Sequence, residues 1–286
     1  MKLKFWGARG SVPAPGPETN RYGGNTSCVQ LTLDDGTDIV LDAGTGIRNL
    51  GLTMQHDCTL QILLTHLHLD HIQGLMFFEP AFDPKTELNI WGPEAPEASL
   101  EDRIARYISS PLTPIEVREL PCELSFKDSP TTEWEIGSAR VQAAAVTHRG
   151  PTLGYRITEG DLSVCYLPDH EPALGASLVD LPEEWISGFE LAQGADVLIH
   201  DCQYSDEEYA SHIGWGHSRL TDTLTFAHRA GVKRLVLFHH DPLHSDDFLD
   251  AFMGAAVEGW TALGGAPDRV ELAVERRCIE LSAATA

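Results

Sequence analysis

The sequence predicts an α/β domain in four layers, helix–sheet–sheet–helix (αββα), and three observations predict it. The 286 residues are 42% hydrophobic and 22% charged, a balance that buries a sizeable core and does not stay disordered. Apolar strand-like segments come first in hairpin-like order, without helices between them. Later strand-like segments alternate with helical ones. Two packed sheets with helices outside satisfy that order. A doubly wound parallel sheet fits less well, because it needs helices between its early strands.

In order, strands are expected at Lys2–Trp6, Ser27–Leu33 and Asp38–Leu41, the last two joined by the turn residues Asp34-Asp35-Gly36. A short apolar strand, Leu60–Leu64, runs into a histidine cluster, and Ile72–Phe78 reads as a helix that Pro80 ends. Residues 80–130 are rich in proline and hold one helix candidate, Leu100–Ile108, apolar at 100, 104 and 108. This stretch reads as an elaboration of a single domain spanning 1–286, either a lid over a cleft or an interface that makes a homodimer. Strands return at Ala139–Val146, Leu153–Ile157 and Leu162–Leu167, followed by a helix near Glu184–Ala192 and strand Val197–Ile199. Helix Leu220–Ala230, strand Arg234–Phe238, helix Asp246–Leu263 and strand Val270–Val274 complete the chain.

Charge and composition narrow the function. Asp and Glu number 43 against 20 Lys and Arg, a net charge of −23, and only five residues are lysine. A long nucleic-acid track needs a basic footprint, so long RNA or DNA is disfavoured as a partner while a small anion is not. No apolar run approaches the ~18 residues of a membrane span. The N-terminus breaks at Gly7 before a signal-peptide core forms, and the six cysteines are spread singly; the expected compartment is a reducing one, the cytoplasm.

Histidine is the unusual count, thirteen in all, and it clusters. In His66-Leu67-His68-Leu69-Asp70-His71, an extended chain turns His66, His68 and Asp70 to one side and both leucines to the other. His71 approaches from the following helix. Imidazole and carboxylate suit zinc, manganese or iron alike, and four such groups within six residues suggest two adjacent metals. Other apolar strands also end in metal-ligating residue types: Ile39-Val40-Leu41 at Asp42, Val141–Val146 at His148, Val164–Leu167 at Asp169, and Leu235–Phe238 at His239-His240. Any one alone is more often a strand-end turn or a helix cap; together they describe a site built at one edge of the scaffold.

These residues, from Phe5 to Pro242, resemble the five ordered motifs of the metallo-β-lactamase superfamily. Aspartate at 169, where true β-lactamases often carry cysteine, resembles the branch with two metals. Phe5-Trp6-Gly7-Ala8-Arg9-Gly10-Ser11-Val12-Pro13, Gly154-Tyr155-Arg156 and Gly216-His217-Ser218 resemble the tRNA 3′-processing endonucleases and the cyclic phosphodiesterases related to them. Asn20–Cys28 is similar to a variant in uncharacterised bacterial phosphodiesterase-like members. The resemblance implies the metallo-β-lactamase fold. It implies one divalent ion on His66, His68 and His148, a second on Asp70, His71 and His239, and Asp169 between them. Zinc is the first expectation, with manganese or iron as alternatives. Asp42 is expected behind the ligands, orienting one of them, and His240 is placed behind His239, which follows its strand as the family's last histidine does.

The resemblance also implies catalytic roles for Asp70 and for His217, the latter as general acid. Arg9, Arg149 and Arg156 are candidate contacts to a substrate anion, although a structural ion pair is the commoner fate of an arginine. Two metals ~3.5–4 Å apart lower the pKa of a shared water towards ~7 and neutralise charge in an in-line displacement. The expected activity is hydrolysis of a small anionic phosphodiester, such as a cyclic nucleotide or cyclic ribose phosphate. The tRNA enzymes carry a long arm between the third and fourth motifs, and only 21 positions separate His148 from Asp169, which two strands consume. The alternatives are a thioester or lactone hydrolase of the same superfamily and an RNA-processing nuclease without the arm.

Overall fold

The computed structural model describes residues 1–55 and 57–282. Its strands in chain order are β1 (Lys2–Gly7), β2 (Cys28–Thr32), β3 (Asp38–Leu41), β4 (Thr59–Leu63), β5 (Glu87–Gly92), β6 (Glu123–Asp128), β7 (Trp134–Ile136), β8 (Ala139–Ala145), β9 (Leu153–Glu159), β10 (Leu162–Leu167), β11 (Val197–Asp201), β12 (Leu235–Phe238), β13 (Val270–Leu272) and β14 (Cys278–Glu280). They form two sheets, ordered β14-β1-β2-β3-β4-β5-β6 and β13-β12-β11-β10-β9-β8-β7. The α-helices are α1 (Gly46–Gly51), α2 (Leu69–Ile72), α3 (Leu100–Ala105), α4 (Phe189–Ala192), α5 (Asp206–Tyr209), α6 (Leu220–Arg229) and α7 (Asp246–Ala262).

Side-chain alternation explains the four layers. Ile39 and Leu41 of β3 and Val236 and Phe238 of β12 face each other's sheet in one central core. Val40, on the other face of β3, packs with Ile47 of α1 and Ile104 of α3. Leu235 and Leu237, on the other face of β12, pack with Phe226 of α6 and Phe252 of α7. Strands apolar on both faces are strands covered on both faces. The expected αββα fold is present, and no helix among the described residues is long and apolar enough to cross a membrane.

The topology gathers strand ends. β3, β4, β5 and β6 run parallel, as do β10, β11, β12 and β13. β8 pairs antiparallel with β9, and β9 with β10, so β8 ends at the same edge as β10. Asp42, His66, His148, Asp169, Asp201 and His239 therefore lie on or just after strands that finish along one edge of each sheet.

Three expectations change. The 80–130 stretch is not a mere elaboration: its β5 and β6 extend the first sheet, and only the connection 93–122, with α3, stands apart as a wall. The helix expected over Ile72–Phe78 is instead α2, starting at Leu69, then a 3₁₀ turn at Leu75–Phe77. A Cβ on Gly74 would fall 2.0 Å from the Gly44 carbonyl oxygen, so the chain there lies directly on backbone. The third change is Leu69, which is 60% exposed rather than packed on the back of an extended run, because the chain turns helical at that residue.

Phe238 ties the sheets together, with its ring 6.3 Å from Phe5 and 5.7 Å from Tyr166. Phe238→Ala should cost about 3–5 kcal/mol, read by urea unfolding.

Candidate metal centre

β4 ends at Leu63, and the next five residues carry the chain to the sheet edge. His66 is buried, and His68 is still extended at φ −65° and ψ 152°. Asp70 and His71 then sit in the first turn of α2, so helical rather than extended geometry delivers the last two candidate ligands of the cluster.

Buried acceptors and donors set each imidazole. His71 Nδ1–H donates to Asp42 Oδ2 at 2.8 Å, which turns its Nε2 inward. Asp42 is fixed in turn by the Thr65 N–H at 2.7 Å and the Tyr166 hydroxyl at 3.0 Å. It adopts φ 58°, a strained conformation for a non-glycine residue. His66 Nδ1 bonds Thr65 Oγ1 at 3.1 Å, His148 Nδ1 bonds the Gly216 carbonyl at 2.7 Å, and His239 Nδ1 bonds Gln203 Oε1 at 3.1 Å. Gly216 has φ 93°, and a Cβ there would lie 2.3 Å from His148 Nδ1; only glycine fits.

The inward atoms form two groups that share one carboxylate, with the ligand atoms of each within 4.8 Å: His66, His68, His148 and Asp169, and Asp70, His71, Asp169 and His239. Asp169 Oδ2 is 3.7 Å from His66 Nε2 and 3.6 Å from His148 Nε2. Its Oδ1 is 3.0 Å from His71 Nε2 and 3.2 Å from His239 Nε2. Asp70 Oδ2 lies 3.3 Å from both His71 Nε2 and His239 Nε2 and accepts the Ser11 N–H at 2.8 Å. A tetrahedral ion with bonds of ~2.0–2.1 Å has ligand–ligand edges of about 3.3–3.5 Å, and these separations bracket that edge. Buried His66 Nε2 makes no hydrogen bond. Donor atoms at that spacing fit two divalent ions, which the two groups sharing Asp169 would hold.

The protonation directions agree. Burial, then the charge of neighbouring imidazoles, holds His66 well below the ordinary imidazole range. Burial also lowers His68 and His148, leaving three neutral donors. Burial opposes charge on His71 as well, but Asp169, Asp70 and Asp42 outweigh it and push His71 well above its ordinary value.

Beside the two groups stands His217. Its ring stacks on His239 with centroids 4.9 Å apart, and its Nδ1 is 2.6 Å from Asp201 Oδ2. Burial opposes the charge, yet Asp201 raises His217 to about 9. Asp201 was not among the expected residues. It ends β11 in the same manner as the other strand-end carboxylates, which was the available signal. Glu171, also unforeseen, accepts the N–H groups of Gly214 at 2.9 Å and Gly216 at 2.8 Å and the Tyr209 hydroxyl at 2.7 Å, anchoring the loop that carries His217.

Two of the three arginines expected at the substrate are elsewhere. Arg9 is fully buried and donates to the carbonyls of Gly23, Asp241 and His244. Arg156 donates to the carbonyls of Leu191 and Gln193 and to Ser163 Oγ. Arg149 donates Nε–H to the Gly214 carbonyl at 3.2 Å and borders the cleft. His240 faces away from the ligands, its Nε2 2.9 Å from the Ala273 carbonyl, and burial pushes it down to about 3. It is a buried neutral residue and supports no ligand.

Two outcomes follow. Asp169→Ala should reduce bound zinc to at most one ion per chain, measured by elemental analysis. Zinc loading at pH 7 should release protons, because His71 carries a proton on Nε2 in the metal-free protein and must lose it to coordinate. Calorimetry in buffers of unequal ionisation enthalpy reads that release, and its absence contradicts the placing of His71.

A family model described as the β-lactamase superfamily domain matches residues 37–240. The ribonuclease Z of Gemmatimonas aurantiaca is 26% identical over 272 residues, covering 78% of this chain and 82% of its own. That of Bacillus cereus strain AH187 is 24% identical over 319, covering 96% and 100%. Among solved structures, the metallo-β-lactamase fold protein YhfI from Bacillus subtilis superposes with a TM-score of 0.68 at 19% identity, over 98% of this chain and 99% of that one. The human short-form tRNase Z gives 0.66 at 22%, over 99% and 100%. A diphosphatase of the PhnP family gives 0.68 at 18%, over 98% of both. With the fold, the paired ligand groups and the matched family model in agreement, the chain belongs to the β-lactamase superfamily and is a metal-dependent hydrolase.

Proposed function

We propose that this centre hydrolyses a small phosphodiester. The observation that carries the reading is His217, bonded to Asp201 at 2.6 Å and stacked on His239, beside two ligand groups that share Asp169: an acid beside a place for two cations. Relatives named ribonuclease Z, enzymes of phosphodiester chemistry, support the same reaction class. When bound, two divalent ions, zinc first among those that suit this donor set, supply Lewis acidity and an acidified water.

The chain's own residues do the rest. Asp70 is held by the Ser11 N–H; burial opposes its charge, but His71 and His239 outweigh it and keep the carboxylate ionised, so it orients the attacking water while the acidified water loses its proton to solvent. His217 gives its proton to the departing oxygen as the P–O bond breaks. Asp201 keeps that proton in place, and it is itself fixed by the N–H groups of His170 at 3.2 Å, Gln203 at 3.0 Å and Ser218 at 3.1 Å. It cannot swing away between turnovers.

A small substrate is supported by the hairpin between His148 and Asp169. β9 ends at Glu159 and β10 starts at Leu162, so Gly160 and Asp161 alone join them and no arm projects to grip a tRNA. The net charge of −23 points the same way. A second reading, RNA 3′ processing without an arm, is favoured by the ribonuclease Z relatives.

The zinc-loaded protein should cleave bis-p-nitrophenyl phosphate, and His217→Ala should lower kcat about 10²–10⁴-fold with zinc content retained. Activity should fall as pH rises through the His217 pKa. Asp201→Asn should move that alkaline limb to lower pH, because the carboxylate is what holds the proton. Faster cleavage of a tRNA precursor with a 3′ trailer than of any small diester favours the second reading. Faster turnover of a glutathione thioester than of any diester overturns both.

A further inference from the structure

The connection 93–122 forms one wall of a cavity of about 440 Å³ that opens directly beside His66 and His68, within the size range of small-molecule sites. Leu67, Leu69, Leu112 and the ring of Tyr107 supply apolar lining. Leu69 is 60% and Leu112 68% exposed. With Leu67 and the Tyr107 ring beside them they give the cleft a joined apolar patch rather than isolated exposed leucines.

Three arginines line the same cavity: Arg103, Arg106 and Arg149. Arg103 is committed, donating to the Pro93 and Ser99 carbonyls. Arg106 is not: its guanidinium has no hydrogen-bond or ion-pair partner among the described residues. Arg149 spends only Nε–H, on Gly214, which leaves its terminal nitrogens available. Other arginines without a carboxylate partner, such as Arg9 and Arg156, are spent on backbone carbonyls; Arg106 and the terminal nitrogens of Arg149 face the cleft without either kind of partner among the described residues.

We infer that this cavity binds the non-scissile arm of the substrate, and that the arm is nucleotide-sized: an apolar or aromatic body ending in a second phosphate. The inference rests on the diesterase reading and adds the substrate class to it. With the scissile phosphate at the paired ligand groups, an attached arm passes over Leu67 and Leu69, lies against Tyr107 and Leu112, and reaches Arg106 and Arg149. A terminal phosphomonoester, with nearly two charges and three acceptor oxygens, satisfies two separate guanidiniums better than a carboxylate does. Glu97 shares the lining and opposes the anion, which offers a variant of opposite sign.

The test compares two p-nitrophenyl esters of thymidine 5′-phosphate, one with a 3′-phosphate and one without, on the zinc-loaded protein. The 3′-phosphorylated ester should show about tenfold or more higher kcat/KM, carried by KM, as a charge-assisted contact of more than 1.4 kcal/mol gives. Within Arg106→Ala and within Arg149→Ala, the ratio between the two esters should shrink towards one, and in Glu97→Gln it should grow. Calorimetry with thymidine 3′,5′-bisphosphate against thymidine 5′-monophosphate should show the same preference without turnover. Equal kcat/KM and equal affinities, or a preference that persists in both arginine variants, overturns the inference. If neither ester nor bis-p-nitrophenyl phosphate is cleaved, the diesterase reading fails by itself, and the calorimetric arm still decides what the cavity binds.

Discussion

Everything at the sheet edge depends on aiming lone pairs. A neutral imidazole carries one donor and one acceptor nitrogen, and it can serve a cation only if the donor is occupied elsewhere. His66, His71, His148 and His239 each have the outer nitrogen bound, to Thr65, Asp42, Gly216 and Gln203 respectively. Without ions His71 Nε2 faces Asp169 Oδ1 at 3.0 Å as a charged partner, while the inward acceptor of buried His66 has no hydrogen-bond partner, a position that a cation would satisfy. The arrangement is costly without ions and stabilising with them.

The two sheets contribute unequally. The first supplies Asp42, His66, His68, Asp70 and His71, all within reach of β3 and β4. The second supplies His148, Asp169, Asp201 and His239 from four separate strands. Each ligand group draws from both sheets, so the centre can assemble only when the central core holds the sheets in register. Backbone strain marks the same edge. Ser11, Asp42 and His239 all have φ between 58° and 64°, and tight packing at the strand ends maintains them there.

How much of this was legible follows from how local each signal is. The run from His66 to His71 holds four metal-ligating side-chain types in six residues, and strand-end residues such as Asp42, Asp169 and His239 are visible wherever an apolar run stops at a metal-ligating side chain. Asp201 ends β11 in the same way, but it follows His200 and precedes Cys202, and nothing in the local pattern distinguishes the residue that reaches the site. The arginines were harder. The carbonyls that capture Arg9 come from residues as distant as Asp241 and His244, and no local pattern announces them. β5 and β6 were hidden by prolines on both sides and by polar residues such as Asn89, which is buried yet satisfied by Ser125 and Lys127.

The segment Asp169-His170-Glu171 joins two tasks on three consecutive residues. One carboxylate faces both ligand groups, and the other grips the loop of Gly214 and Gly216 that carries His217 and supports His148. The candidate cation site and the proposed acid thus share a single mechanical mounting. A shift of that short piece of backbone moves the shared carboxylate and the His217 loop together.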